Sequence, residues 1–587
     1  MNTTQLRSQL WWDNPANPDM TALYLERYLN FGLTRGELQS GRPIIGIAQT
    51  GSDLVPCNRH HVQLADRVRA GVRDAGGIPL EFPVHPLQET GKRPTAALDR
   101  NLAYLGLVEI LYGYPLDGVV LTTGCDKTTP ACLMAAATVN LPAIVLSGGP
   151  MLNGYVDGRR AGSGLIIWQS RRLLAAGRID YAEFMDRVSR SATSVGHCNT
   201  MGTALSMNSI AEALGMTLPG CAAIPAPYRE RAEVAYDTGF RAVGLVRENL
   251  TPRAIMTRDA FDNAIVVASA IAGSTNCPIH VNAIARHIGI ELTNSDWERV
   301  GGDVPILANC APAGDFLGED FYHAGGVPAV MHALLTAGRL HDDAVTVNGR
   351  TVAENVADMP STNTEVIADY DKPFGPRGGV LVLHGNLFKS GMMKMSVITE
   401  DLRARYLISP AVTWRAVVFD SPEDYHHRIN DPDLEIDESC ILVVRYAGNI
   451  AYPGSAEVVN MQPPTALIMR GVEAIPTLGD GRQSGTADAP SILNVSPEAA
   501  VGGNLAILRT GDRITLDIPN HRLDVELSDE EIEARWRDHT PPTFTDQTPW
   551  QELFRAHAGQ MDTGSCLDFA VAYQDIIATK GVPRDSH

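Results

Sequence analysis

DGVVLTTGCDKTTP, residues 117–130, is the stretch on which the fold turns. Its first half, a β-branched and leucine run after Asp117-Gly118, has the composition of a buried strand. Its second half breaks at Gly124 and leads into a helical pattern near 130–139, so the segment reads strand, loop, helix. Outward from it the alternation recurs, with strands at 44–49 (IIGIAQ), 78–84 (IPLEFPV) and 142–148 (PAIVLSG) and helices near 60–74 and 94–112. The first of these helices carries Leu64, Val68 and Val72 on one face and stops at Ala75-Gly76-Gly77. Strands alternating with helices predict an α/β fold built on a parallel sheet.

Helical patterns continue through roughly 169–345, with Met207, Ile210, Ala211 and Leu214 on one stripe of an amphipathic helix. Residues 357–379, ADMPSTNTEVIADYDKPFGPRGG, have no periodicity and suit a linker. Strand-like runs follow (VLVLHG, AVVFD, CILVVRYAG), then the hairpin-like DRITLDIPNHRLDVELSD and a helical tail near 548–580. The expectation is a large N-terminal parallel-sheet α/β domain, 1–378, and a smaller β-barrel-like C-terminal domain, 379–587.

The chain has 587 residues, too many for one core, with 44% hydrophobic and 20% charged residues and a net charge of −20. That charge argues against a nucleic-acid partner and for a small molecule. No apolar run is long enough for a membrane span. The start, MNTTQLRSQLWWDNPANPDM, resembles neither a signal nor a transit peptide, so a cytoplasmic protein is expected. Nine cysteines, none in C-x-x-C, speak against a disulfide framework and against zinc-ribbon or thioredoxin-like sites.

Parallel sheets bind ligands beyond the carboxyl ends of their strands. There the sequence places Cys57 after the first strand, Glu89 after the second, Cys125, Asp126 and Lys127 after the third, and Ser147 after the fourth. Cys198, in GHCNTMGTA (196–204), precedes a helix whose N–H groups would favour a thiolate. Three loop thiolates can anchor an iron-sulfur cluster with one iron position open, although cysteine is also a commonly buried residue. Glu89 and Asp126 suit Mg²⁺, or are solvated loop carboxylates. Ser484, in Gln-Ser-Gly-Thr, is a candidate acid or base, or a turn serine. Gly479-Asp480-Gly481 with Asn504 competes as the opening of a thiamine diphosphate motif, which requires a strand before it and a helix after it.

These segments resemble the dihydroxy-acid, phosphogluconate and sugar-acid dehydratases over nearly the whole chain. The resemblance rests on PCN (56–58), TTGCDKTTP (122–130), GHCNTMGTA (196–204), GSTN (273–276), PGSAEVVNM (453–461) and GDGRQSGTADAPSILNVSPE (479–498). TTGCDK, GHCNTMGTA and PGSAEVVNM look like the pentonate branch, which acts on D-xylonate or L-arabinonate.

The resemblance implies a hydro-lyase that converts a sugar acid to its 2-keto-3-deoxy acid in carbohydrate metabolism. It implies a [2Fe–2S] cluster on Cys57, Cys125 and Cys198. It also implies Mg²⁺ on Glu89, Asp126, Glu457 and a carbamylated Lys127. Ser484 would be the alkoxide base that takes the C2 proton, with Thr486 near the substrate and the C3 hydroxyl lost at the cluster. A homodimer or homotetramer is expected. The alternatives are a dihydroxy-acid dehydratase of branched-chain amino-acid synthesis, a thiamine diphosphate dependent lyase and a non-catalytic sugar-acid binding protein. One departure from the family pattern is Asn449, where a proline is expected.

Overall fold

The computed structural model describes residues 6–88, 95–457, 461–483 and 488–584. Glu89, Ser484 and Thr486 lie outside the described residues.

The first sheet has four strands, β1 (Ile44–Gln49), β2 (Ile78–Pro83), β3 (Gly118–Thr123) and β4 (Ala143–Ser147). All pairings are parallel, in the order β2-β1-β3-β4. β1, β3 and β4 are buried along their whole length, as strands covered on both faces must be, while the edge strand β2 is partly exposed. The helices His61–Asp74 and Arg229–Glu248 cross so closely that a Cβ at Gly71 or Gly239 would enter the other helix's backbone. Glycine is required there for the approach rather than for its dihedral freedom. The predicted strands and intervening helices of this half match the structure to within a few residues.

A small antiparallel pair, β5 (Gly154–Val156) and β6 (Arg159–Ala161), follows, and then a largely helical region to Val356. The helix Thr203–Ala213 is buried on every face, which corrects the amphipathic expectation: neighbouring helices enclose its polar residues too. The segment 357–379 lacks regular structure but is no free linker. Val366, Ile367 and Ala368 are buried, and the N–H groups of Ala368 and Phe374 donate to the carbonyls of Leu307 and Ile306.

The second sheet has eight strands: β7 (Val380–Leu383), β8 (Ser390–Lys394), β9 (Ala411–Phe419), β10 (Cys440–Val444), β11 (Thr477–Gly479), β12 (Ser491–Ser496), β13 (Arg513–Asp517) and β14 (Arg522–Val525). Their order is β14-β13-β9-β10-β11-β12-β8-β7, parallel from β9 to β12 and antiparallel at both ends. Beyond β7 the backbone of His384 accepts from Leu523 and donates to His521, which brings the two edges together into a nearly closed barrel. Closure removes the exposed edges that an open sheet would present.

Each sheet has its main core, yet Val380, Met392 and Leu493 of the second sheet and Phe554, Cys566, Leu567, Ala570 and Ile576 of the tail pack into the first. The buried guanidinium of Arg100 donates to the carbonyls of Gly564 and Ser565. The tail is α-helical only at Pro549–His557 and Ile576–Lys580, less than the sequence suggested. Among the described residues no helix is long and apolar enough to cross a membrane.

Candidate active site

The loops beyond β1 and β3 are held together by a polar clasp. Cys57 lies in a short 3₁₀ turn, Pro56–Asn58, after β1. The Asn58 side chain accepts the Cys125 N–H at 2.9 Å and donates to Thr50 Oγ1 at 3.1 Å, and Thr50 Oγ1 meets His61 Nδ1 at 3.0 Å. A Cβ at Gly124 would collide with Asn58 Oδ1, so this turn needs glycine. The clasp sets the two thiols against each other. Contact with Cys125 draws the Cys57 thiol below its ordinary value, against the opposing effect of burial, and Gln88 donates to Cys57 Sγ at 3.6 Å.

Behind the rim, His60, His61 and His197 are buried, and desolvation holds each well below the usual histidine range. They are therefore neutral at physiological pH.

Asp126 and Lys127 are buried, with Lys127 capping the helix Thr128–Val139. Lys127 Nζ stands 3.5 Å from Asp126 Oδ2 and 3.8 Å from Glu457 Oε2, the latter brought in from the second half of the chain. Arg482 completes the group. It pairs with Glu457, lies 4.0 Å from Asp126 Oδ2, and donates to Asn276 Oδ1 and Thr203 Oγ1. Its backbone N–H also donates to the Ala456 carbonyl, tying the 453–457 and 479–483 segments together.

Glu457 and Arg482 border a cavity of about 490 Å³, whose walls also include Cys57, Cys198 and Lys394. Cys198 also lines the cavity, and Ser163 Oγ donates to its Sγ at 3.4 Å. Cys198 lies in the loop ahead of the helix Thr203–Ala213 rather than at its first turn.

Of the expected residues, Cys57, Cys198 and Glu457 line this cavity, Cys125 touches Cys57, and Asp126 and Lys127 stand beside Glu457 and Arg482. Among the described residues no three or more His, Cys, Asp or Glu side chains form a compact group able to hold a metal ion, the three cysteines included. Two of the four implied Mg²⁺ donors, Glu89 and a modified lysine, fall outside such a grouping. The donor chemistry nevertheless fits. Glu457 Oε2 and Lys127 Nζ are buried without a hydrogen-bond partner among the described residues, and the thiols receive neutral donors as cluster ligands do.

Sequence reasoning missed Arg482, Lys394, Gln88 and Ser163. Only Arg482 stood within a quoted motif, and nothing local marks the other three. The thiamine diphosphate reading is corrected. Asp480 accepts from the backbone N–H groups of Tyr446, Ala447 and Ala499, and Asn504 is bonded to Asn386 and Trp536, so neither faces a ligand. The next element described after Gly481 is the strand β12, not a helix. Asn449 donates to the Gly559 carbonyl at 2.6 Å, which fastens the tail and leaves it outside the cavity walls.

Residues 42–355 match the dihydroxy-acid/6-phosphogluconate dehydratase N-terminal family model and residues 365–565 the corresponding C-terminal model. With this fold and this cavity, the chain belongs to the dihydroxy-acid/6-phosphogluconate dehydratase family, and it is accordingly a hydro-lyase. It is 59% identical over 587 residues to the D-xylonate dehydratase of Caulobacter vibrioides, covering 99% of this chain and 98% of that one. It is 44% identical over 584 residues to the L-arabinonate dehydratase of Rhizobium leguminosarum bv. trifolii, covering 99% and 98%. The dihydroxy-acid dehydratase of Caldanaerobacter subterraneus is 38% identical over 511 residues, 86% of this chain and 89% of that one.

Proposed function

We propose that this hydro-lyase dehydrates a sugar acid, an aldonate such as D-xylonate, to the 2-keto-3-deoxy acid. The observation that carries the reading is the single cavity that gathers Cys57, Cys198, Glu457 and Arg482 from both halves of the chain, in a protein with full-length similarity to a D-xylonate dehydratase. Its volume falls in the range of small-molecule sites.

Cys57, Cys125 and Cys198 would hold a [2Fe–2S] cluster, and Glu89, Asp126, Glu457 and a carbamylated Lys127 would hold Mg²⁺. When bound, these groups supply Lewis acidity toward the charge developing at C1–C2 and toward the departing C3 hydroxyl. Ser484 Oγ takes the proton from C2, the C3–O bond breaks and the hydroxyl leaves as water with that proton returned from Ser484, and the enol loses its O2 proton as C3 gains one, giving the keto acid. Thr486 would lie close to the substrate. Arg482 orients the Glu457 carboxylate, and the Asn58 clasp fixes the Cys57 and Cys125 loops. Ile167 and Trp168 give the cavity an apolar wall.

Within this reading the domains divide at 378/379, supported by two main cores and by the change of family model between 355 and 365. The protein works in the cytoplasm as a homodimer or homotetramer.

The test is to incubate anaerobically purified, iron-replete protein with D-xylonate, L-arabinonate, D-gluconate and 2,3-dihydroxyisovalerate and to assay 2-keto acids. Turnover of an aldonate above the branched-chain substrate is expected, and preference for 2,3-dihydroxyisovalerate would overturn the reading. Ser484→Ala should abolish turnover with the cluster absorbance retained; activity within about tenfold of wild type removes Ser484 from the base role.

A further inference from the structure

Lys394, at the end of β8, belongs to no motif in the sequence, yet it reaches the cavity from the barrel side. It is only 4% exposed. A buried ammonium has three donors and is costly to desolvate, so it requires partners. One donor goes to the Ala272 carbonyl at 2.7 Å, at the turn that leads into the 273–276 segment. Among the described residues no carboxylate pairs with it, and burial pulls its pKa down to about 8 with only Cys277 acting in the other direction. Of the other charged side chains on the described walls, Glu457 and Arg482 pair with each other. Among the described wall residues Lys394 is thus the one charged side chain without an ion-pair partner, on a protein whose net charge is −20.

We propose that Lys394 is the anion anchor of this cavity, donating its remaining N–H groups to the carboxylate of the bound acid. The inference rests on the sugar-acid reading for the identity of the ligand, and adds to it the residue that selects an acid over a neutral sugar. A carboxylate has two oxygens and several lone pairs, so the ammonium leaves room for a cation on the same group. The competing role, that Lys394 only holds the Ala272 carbonyl, predicts loss of stability without loss of charge selection.

Binding separates the two roles without relying on turnover. Calorimetric titration of the iron-replete holoenzyme should use a 3-deoxypentonate, which has no C3 hydroxyl to lose, and xylitol, which has the hydroxyls but no carboxylate. Wild type should prefer the acid by at least tenfold. Lys394→Met should weaken the acid at least tenfold and xylitol less than twofold, and Lys394→Arg should retain most of the preference. Lys394→Gln, which keeps an N–H for Ala272, carries the same comparison if the methionine variant does not fold. Unchanged affinity for the acid, equal losses for both ligands, or a wild type without preference would each overturn the proposal. A wild type that binds the acid through Lys394 but dehydrates no sugar acid would sink the substrate reading and leave the anchor standing.

Discussion

Cys57 and Cys132 belong to neighbouring layers of the same half of the molecule, one on the polar rim beyond β1 and one inside the helix Thr128–Val139. The rim thiol touches a second thiol, receives a hydrogen bond from Gln88 and is held below its ordinary pKa. The helix thiol is fully buried among apolar neighbours, and desolvation pushes it up to about 12. Residue type is constant while the surroundings differ, so the surroundings decide which cysteine is favoured as a thiolate and which stays a packed thiol. The carboxylates divide in the same way, with Asp126 and Glu457 set around cations and Glu498 buried beside another acid.

The largest expected effect breaks the comparison at the thiols. Cys57→Ser and Cys125→Ser should lose bound iron and turnover together, whereas Cys132→Ser should keep its iron; equal iron loss in all three, measured by metal analysis, would erase the distinction. Next, Arg482→Met removes the cation beside two buried carboxylates and should cost about 3–5 kcal/mol in denaturant unfolding. A cost below about 1 kcal/mol would mean that the carboxylates do not depend on it.

A pH series sharpens the carboxylate half. Burial, then the nearby Asp480 charge, raises Glu498 from 4.5 to about 8. The folded state therefore keeps a proton that the unfolded chain releases between these values. Its stabilising contribution is complete below pH 4.5, falls as pH rises through the window, and is lost above about 8. Glu498→Gln should gain in Tm relative to wild type between pH 5 and 9, and a constant difference would contradict the assignment. The smallest effect is Cys132→Ala, about 1 kcal/mol of stability with turnover unchanged.

The contrast also explains what could be read from the sequence. β1, β3 and β4 are continuous apolar runs between Gly, Pro and Asp because both faces of the sheet are covered, and such runs announce themselves. The rim residues followed from the rule about strand ends. Val366 and Ile367 were hidden because buried residues on irregular backbone leave no period. The helix Thr203–Ala213 misled because Ser206, Asn208 and Ser209 are polar yet enclosed. Arg482 and Lys394 depend on partners about one or two hundred residues away, Asn276 and Ala272, which no local pattern encodes.

Cys198 lines the cavity from a segment far in sequence from Cys57 and Cys125, so it bears the central claim most directly. Iron and acid-labile sulfide should be measured in anaerobically purified wild type and Cys198→Ser. The account predicts a [2Fe–2S] complement in the wild type and its loss in the variant. A variant that retains full iron and sulfide would contradict the claim that the three cysteines hold one cluster.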